Sequence, residues 1–220
     1  MLSSEWTVTL ALAMSTTLML LVVCLPLAWW LARARFPGRS IIEAILSLPL
    51  VLPPTVLGFY LLMVMGPERW PGSWYTQVTG ETLAFSFVGI LVASLMANIP
   101  FMLGPMVASF RGVEEELLEA AACLGDGPWR SFRRVVIPMA WPGIVSGMAL
   151  TFAHTMGEFG VILMVGGNVE GRTRTVALAI YDDVQGLQYQ QANQSALILV
   201  AVSIFLLVVI QVWRPRGWLR

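Results

Sequence analysis

The chain has 220 residues, of which 57% are hydrophobic and only 12% carry a charge. Its mean hydropathy is +0.76 and its formal net charge is zero. This composition excludes a soluble globular domain and predicts an all-α integral membrane protein. The balanced charge gives no reason to expect a nucleic acid as a partner, whereas membrane lipid is an expected one.

Five apolar runs are each long enough to cross a bilayer as a helix, which takes about 20 residues. In chain order the runs are 7–32, 41–65, 83–110, 143–166 and 195–213. No polar interval between them is long enough to build a separate core. We therefore predict a single transmembrane domain over 1–220 with five membrane-spanning helices.

The arginines are divided unevenly between the two ends of these helices. All 13 basic residues are arginines, and ten of them follow the first, third or fifth run. The ten are Arg33, Arg35, Arg39, Arg111, Arg130, Arg133, Arg134, Arg214, Arg216 and Arg220, and the other three are Arg69, Arg172 and Arg174. The positive-inside rule places the group of ten in the cytoplasm. The predicted topology has the N-terminus outside and the C-terminus inside.

The second run contains Pro49, Pro53, Pro54 and Gly58. Pro53 falls about 18 Å along the helix, near the middle of a hydrocarbon core of ~30 Å. A proline removes a backbone donor and kinks or breaks a helix. Two interpretations stay open: a kinked helix packed in a bundle, or a broken helix whose Pro53 and Pro54 line a translocation path.

The fourth run carries two ionisable side chains, His154 and Glu158, within the membrane. An ionisable side chain at this depth is energetically costly, and it is therefore by default a candidate functional residue. They are one helical turn apart and can therefore pair. Gly157 and Gly160 flank Glu158 and would allow the helix to bend there. A structural hydrogen bond between the pair and a role for Glu158 in gating or holding a helix break are both open.

The polar interval 111–142 predicts a helix, a glycine turn and a second helix. Apolar residues recur at helical spacing behind an acidic start, and Gly125 suits the left-handed turn that ends the first helix. Asp126 is expected to cap the second helix, and Pro138 is expected to end it. Ala121 is expected on the face that a partner approaches. On the predicted topology this helix-turn-helix loop is cytoplasmic.

This loop resembles the cytoplasmic coupling loop of permease subunits of bacterial ABC importers. The matching residues are Glu119, Ala120, Ala121, Gly125 and the Ile137-Pro138 pair. The segments 36–62 and 154–185 are similar to the molybdate permeases of that family, and sulfate permeases share the Gly-Glu-aromatic-Gly pattern. The resemblance covers nearly the whole chain.

The resemblance implies a permease subunit of the bacterial inner membrane that forms a translocation path with a second copy of itself. A separate cytoplasmic ABC ATPase would use the ATP, and a periplasmic oxyanion-binding protein would deliver the anion. The docking loop would include Trp129, Arg130 and Pro138 beside the matching residues. The chain has no phosphate-binding loop of its own, and we expect it to be neither an enzyme nor the holder of a cofactor or metal.

An oxyanion in transit needs hydrogen-bond donors without a deep cationic well, because tight binding would prevent release. The predicted path residues are Asn98, Thr151, His154 and Thr155, with Glu158 as a gate residue, and no arginine lies at mid-depth. These residues do not distinguish molybdate from sulfate or tungstate. A stand-alone secondary transporter is the alternative from another class, and a membrane enzyme would lack a catalytic set of residues.

Overall fold

A computed structural model describes residues 4–213 of the chain, except for the side chains of 206, 207 and 209–213. The described secondary structure is helical throughout. The helices are α1 (Ser4–Arg33), α2 (Arg39–Val51), α3 (Pro54–Met65), α4 (Gly72–Thr79), α5 (Phe87–Arg111), α6 (Glu115–Cys123), α7 (Pro128–Ser131), α8 (Ile137–Gly157), α9 (Gly160–Gly166), α10 (Val176–Gln185) and α11 (Tyr189–Trp213). A π-helical turn over Phe132–Val136 joins α7 to α8.

Three of the described helices are long and apolar enough to cross a membrane, namely α1, α5 and the continuous helix Pro128–Gly157. The pair α2 and α3 is a fourth candidate, bent by 107° at its break. The predicted run 195–213 lies within α11, where several side chains fall outside the described ones. Arg214, Arg216 and Arg220, on which the predicted side of the C-terminus depends, also lie outside the described residues.

The core is a bundle of α1, α5 and α8, and small residues let its helices approach closely. A β-carbon added at Gly143 would lie 2.6 Å from the Pro105 carbonyl oxygen, and one at Gly147 would lie 2.7 Å from the Met102 carbonyl oxygen. Burial of apolar area drives little association in lipid, so such close backbone contacts hold membrane helices together. Gly143 and Gly147 therefore pack against α5 within the chain's own bundle.

An aromatic cluster joins the helices of this bundle at the end from which the polar loop leaves. The ring of Trp29 on α1 meets Phe110 of α5 edge-on at 5.6 Å and Phe132 of the π turn at 5.5 Å between centroids. The guanidinium of Arg33 lies over the Trp29 ring at 4.9 Å. Edge-to-face contacts of this kind stabilise beyond the area they bury. The cluster fixes the root of the polar loop to the membrane bundle.

The predicted fourth helix, 143–166, is wrong at both ends. The helix begins at Pro128 and continues through Pro138 to Gly157. A proline normally collides with the carbonyl four residues earlier, but here the amide of Ile137 donates to the Phe132 carbonyl, five residues back. This wider turn accommodates the ring of Pro138. The prediction that Pro138 ends the second loop helix is therefore wrong.

The second run is a broken helix and not a continuous, kinked one. Its place on a translocation path stays a prediction. α2 ends at Val51, Leu52 and Pro53 are extended with ψ near 135°, and α3 starts with Pro54 in its first turn. Pro54 fits there because the first turn of a helix needs no backbone donor. None of the residues of α2 is buried. This half-helix therefore lies at the edge of the bundle.

Candidate functional site

Two helix breaks meet inside the predicted membrane region. One separates α2 from α3 at Leu52 and Pro53, and the other separates α8 from α9 at Glu158 and Phe159. A β-carbon added at Gly160 would lie 2.8 Å from the β-carbon of Pro54. Only glycine permits this approach, so the start of α9 rests directly on the start of α3.

Glu158 is only 7% exposed. Its Oε1 accepts a hydrogen bond from the backbone N–H of Val161 at 3.4 Å. Its Oε2 lies 3.4 Å from Nδ1 of His154. The carboxylate therefore satisfies a backbone donor that the break frees in α9. The predicted pairing of His154 with Glu158 is present, although the helix ends between them at Gly157.

His154 has a second partner that the sequence analysis did not pair with it. Its Nδ1 lies 3.1 Å from Oδ1 of Asn98 on α5, and the amide nitrogen of Asn98 donates to the Ser94 carbonyl at 2.8 Å. The imidazole stacks on Phe101 with 4.0 Å between ring centroids. Asn98 is fully buried. Asn98 and Phe101 stand about one helical turn apart on α5. A polar and an aromatic residue at this spacing in an apolar helix were the sequence signal for this contact.

Thr151 and Thr155 lie on the same buried side of α8. The hydroxyl of Thr155 donates to the Thr151 carbonyl at 2.8 Å. The hydroxyls of Thr151 and Ser94 have no hydrogen-bond partner among the described residues. A buried hydroxyl without a partner costs free energy. These two groups are therefore available to a polar ligand if the helices separate.

The predicted path residues thus gather around the two breaks, but they differ in exposure. Asn98, Thr151, Thr155 and Glu158 are buried within the single chain, whereas the prolines Pro53 and Pro54 are exposed. The side chain of His154 is 36% exposed. Within the single chain, the exposed members of the predicted path are therefore Pro53 and Pro54, and His154 is partly exposed.

The polar loop forms the predicted helix, turn and helix. α6 ends at Cys123, and Gly125 turns the chain with φ of +85°, in the left-handed region that glycine adopts without strain. The expected cap is wrong: Gly127 is the N-cap of α7. The carboxylate of Asp126 instead lies 3.5 Å from both Arg130 and Arg134, and it holds the turn against the second helix.

The exposed surface of this loop differs from the predicted one. Ala121 is only 6% exposed and faces the chain itself, which contradicts its predicted place on the partner-facing side. Glu119 and Ala120 are exposed. The largest exposed apolar side chains are Leu124, at 88%, and Trp129, at 69%. Leu124 was not among the predicted docking residues, although a leucine just before a turn glycine in a polar loop is a recognisable signal of an exposed apolar side chain.

One family model matches a stretch of the chain that contains both the helix breaks and the polar loop. Residues 24–215 match the family model of the binding-protein-dependent transport system inner membrane component. The chain is 51% identical over 186 residues to the molybdenum transport system permease protein ModB of Azotobacter vinelandii, covering 84% of this chain and 82% of that protein. It is 33% identical over 190 residues to the sulfate transport system permease protein CysT of Escherichia coli K12, covering 86% and 68%.

A solved structure has the same fold. The crystal structure of a bacterial ABC transporter that imports the acidic polysaccharide alginate superposes with a TM-score of 0.76 over 96% of this chain and 79% of that chain, at 15% identity. The prediction of an all-helical membrane permease is therefore confirmed. The chain belongs to the family of binding-protein-dependent transport system inner membrane components, the non-catalytic permeases of ABC transporters, alongside the molybdenum and sulfate permeases.

Proposed function

We propose that this chain is the membrane subunit of an ATP-driven molybdate importer, which forms its translocation path as a homodimer. The observation that carries the substrate is the 51% identity to a molybdenum permease over 186 residues. The path is supported by the contact between the two helix breaks. The predicted path residues around them offer hydrogen-bond donors and include no arginine or lysine, which suits an anion that must also leave.

The second copy would cover the open side of the α2–α3 break. Pro53 and Pro54 are exposed in the single chain, and apolar neighbours along the same half-helices are exposed too, with Val51 at 81% and Tyr60 at 61%. A path that faced lipid on this side would not retain an anion. A homodimer closes it with one more copy of the same surface.

The cytoplasmic ATPase would dock on the polar loop, and a periplasmic binding protein would deliver the anion at the opposite end. Leu124 and Trp129 offer the exposed apolar anchors that protein interfaces use, while Glu119, Ala120, Gly125 and Arg130 surround them. The N-terminus is then outside and the C-terminus cytoplasmic. ATP binding and hydrolysis belong to the partner subunit, in keeping with the family.

The test is uptake by the complete transporter. The chain is reconstituted in liposomes with its cytoplasmic ABC ATPase and periplasmic binding protein, and labelled molybdate and sulfate are supplied separately. We expect ATP-dependent molybdate uptake that excess sulfate does not abolish. Uptake without the ATPase, driven by an ion gradient, would contradict the proposal and favour a secondary transporter.

Sulfate is the second candidate substrate, supported by the 33% identity to a sulfate permease. Preferential sulfate uptake in the same liposomes would transfer the assignment to sulfate and leave the ABC mechanism in place. Tungstate, a close chemical analogue of molybdate, is tested in parallel. Exchanging the binding protein for one of another specificity then shows whether this chain itself discriminates among the anions.

A further inference from the structure

A cluster of charged side chains joins α2 to the root of the polar loop. The carboxylate of Glu43 on α2 accepts a hydrogen bond from Nε of Arg39 at 2.9 Å and another from Nη2 of Arg111, the last residue of α5. Arg39 also donates through Nη1 to the Ala34 carbonyl at 3.1 Å. One carboxylate therefore connects the α1–α2 linker, the α2 half-helix and the point where the loop begins.

The rest of α2 is weakly attached. Ile42 and Leu46 pack against the core but are only partly buried. On the adjoining face Ile41 is 65% exposed and Ile45 is 62% exposed. Because apolar packing holds only one narrow face of α2, the ionic cluster decides how this half-helix is aligned with the loop.

The loop is anchored on the same side of the molecule. Nη2 of Arg33 donates to the Val113 carbonyl at 2.7 Å, two residues after Arg111. Val113 is itself buried at 3% exposure. The first residues of the loop therefore move together with the ends of α1 and α5, and Glu43 adds α2 to this group.

We propose that Glu43 is a positioning residue that transmits displacement of the coupling loop to the helix break at Leu52 and Pro53. This inference rests on the proposed function as an ATPase-coupled permease. α2 continues as an unbroken helix from Glu43 to Val51, with Pro49 in its last turn, over a length of roughly 12 Å. A tilt imposed at Glu43 therefore reaches the break that contacts Gly160.

A single exposed ion pair contributes little to stability. The importance of Glu43 lies instead in geometry, since its carboxylate is shared by two arginines and the cluster spans three segments of the chain. Removal of the carboxylate should therefore leave the fold and the docked ATPase in place while α2 loses its alignment. The observable consequence is a loss of coupling.

The experiment measures ATP hydrolysis and anion uptake separately in the reconstituted complex. For Glu43→Ala we expect unchanged assembly and hydrolysis, while the anion transported per ATP falls about fivefold or more, within the range of typical coupling free energies. Arg111→Ala should have the same effect. The double variant should be no worse than either single one, because both remove the same contact.

A matched control exists in the segments next to these two. Arg35 and Glu115 form an ion pair at 3.7 Å between the α1–α2 linker and α6, with side chains 88% and 66% exposed. Arg35→Ala should keep the anion transported per ATP within about twofold of the original value. Glu43→Gln retains an acceptor for one arginine, and it should give an intermediate ratio.

An unchanged ratio in Glu43→Ala would overturn the inference. A parallel loss of assembly, hydrolysis and uptake in both Glu43→Ala and Glu43→Gln would also overturn it, because Glu43 would then only stabilise the fold. If the original complex transports sulfate, the ratio is measured with sulfate. If it transports no oxyanion, the proposed function fails, and hydrogen exchange tests the inference alone: nucleotide trapping should alter exchange over 39–51 in the original complex and leave it unaltered in Glu43→Ala.

Discussion

The coupling loop and the paired helix breaks are opposites in how they place polar and apolar groups. The loop, on the predicted cytoplasmic side, exposes Leu124 and Trp129. The breaks, within a largely apolar bundle, bury Glu158 and Asn98. Among the described residues the exposed apolar pair stays largely uncovered, with only Phe132 stacked on Trp129, whereas Glu158 and Asn98 share the imidazole of His154. This contrast agrees with the proposal that the first region docks another protein and that the second lines the translocation path.

The largest effect is expected from filling the contact between the breaks. Gly160→Val would place side-chain atoms where Pro54 lies, since even a β-carbon comes within 2.8 Å. Overpacking of this kind costs ~1–3 kcal/mol, and uptake should fall about tenfold or more. The measurement is ATP-dependent molybdate uptake at equal membrane content. Gly157→Val is the control, because a β-carbon at Gly157 meets nothing within 4 Å; equal losses in the two variants would contradict the proposed contact.

The exposed apolar pair is tested by introducing a charge. Trp129→Asp should remove an interface anchor worth ~2 kcal/mol. The affinity of the purified permease for the ATPase should therefore fall about 30-fold. Trp70→Asp is the matched control, since Trp70 is 79% exposed but lies on the predicted outer side. Loss of the ATPase from the Trp70 variant alone would reverse the topology.

The buried polar groups are tested by removing one acceptor. Glu158→Ala leaves the N–H of Val161 and the imidazole of His154 without their carboxylate, at a cost of about 1–3 kcal/mol for an unpaired buried group. Glu158→Gln keeps an amide oxygen as acceptor. We therefore expect uptake by the Gln variant to exceed uptake by the Ala variant several-fold, with normal expression of both. Equal defects would show that the negative charge, and not hydrogen bonding, is the essential property.

The smallest effect concerns the turn that presents Leu124. Gly125→Ser forces a side chain into a left-handed conformation with φ of +85°, which costs about 1–2 kcal/mol. ATPase affinity should fall about fivefold. Gly127→Ser provides the comparison, because Gly127 has φ of −71° as the N-cap of α7, where serine is favoured. A weaker affinity in the Gly127 variant than in the Gly125 variant would contradict a strained turn.

Residues with strong local chemistry made parts of this molecule predictable. Pro53 and Pro54 impose a break by covalent geometry, and Gly125 permits a turn that other residues resist. The break at Glu158 was less certain, because Gly157 and Gly160 tolerate a bend without requiring one. Its presence depends on the contact with Pro54, which lies about a hundred residues away in the chain and has no local signature.

Two errors have a common physical cause. Pro138 was expected to end a helix, but the neighbouring π turn accommodates its ring and the helix continues. Ala121 was expected to face a partner, but alanine is equally suited to a buried or an exposed helical position. In both cases the sequence specifies what a residue tolerates, and the tertiary packing selects among the tolerated arrangements.

The π turn over Phe132–Val136 also sets the angle around the helix axis between α7, which carries Trp129, and α8. Each residue of an α-helix advances the chain by roughly 100° around the axis, so the wide turn determines the direction in which Trp129 points relative to the membrane part of the same helix. Deleting one residue within the turn would rotate the docking surface by about that angle while α8 stayed in place. The turn therefore acts as a fixed angular offset between the two halves of one continuous helix.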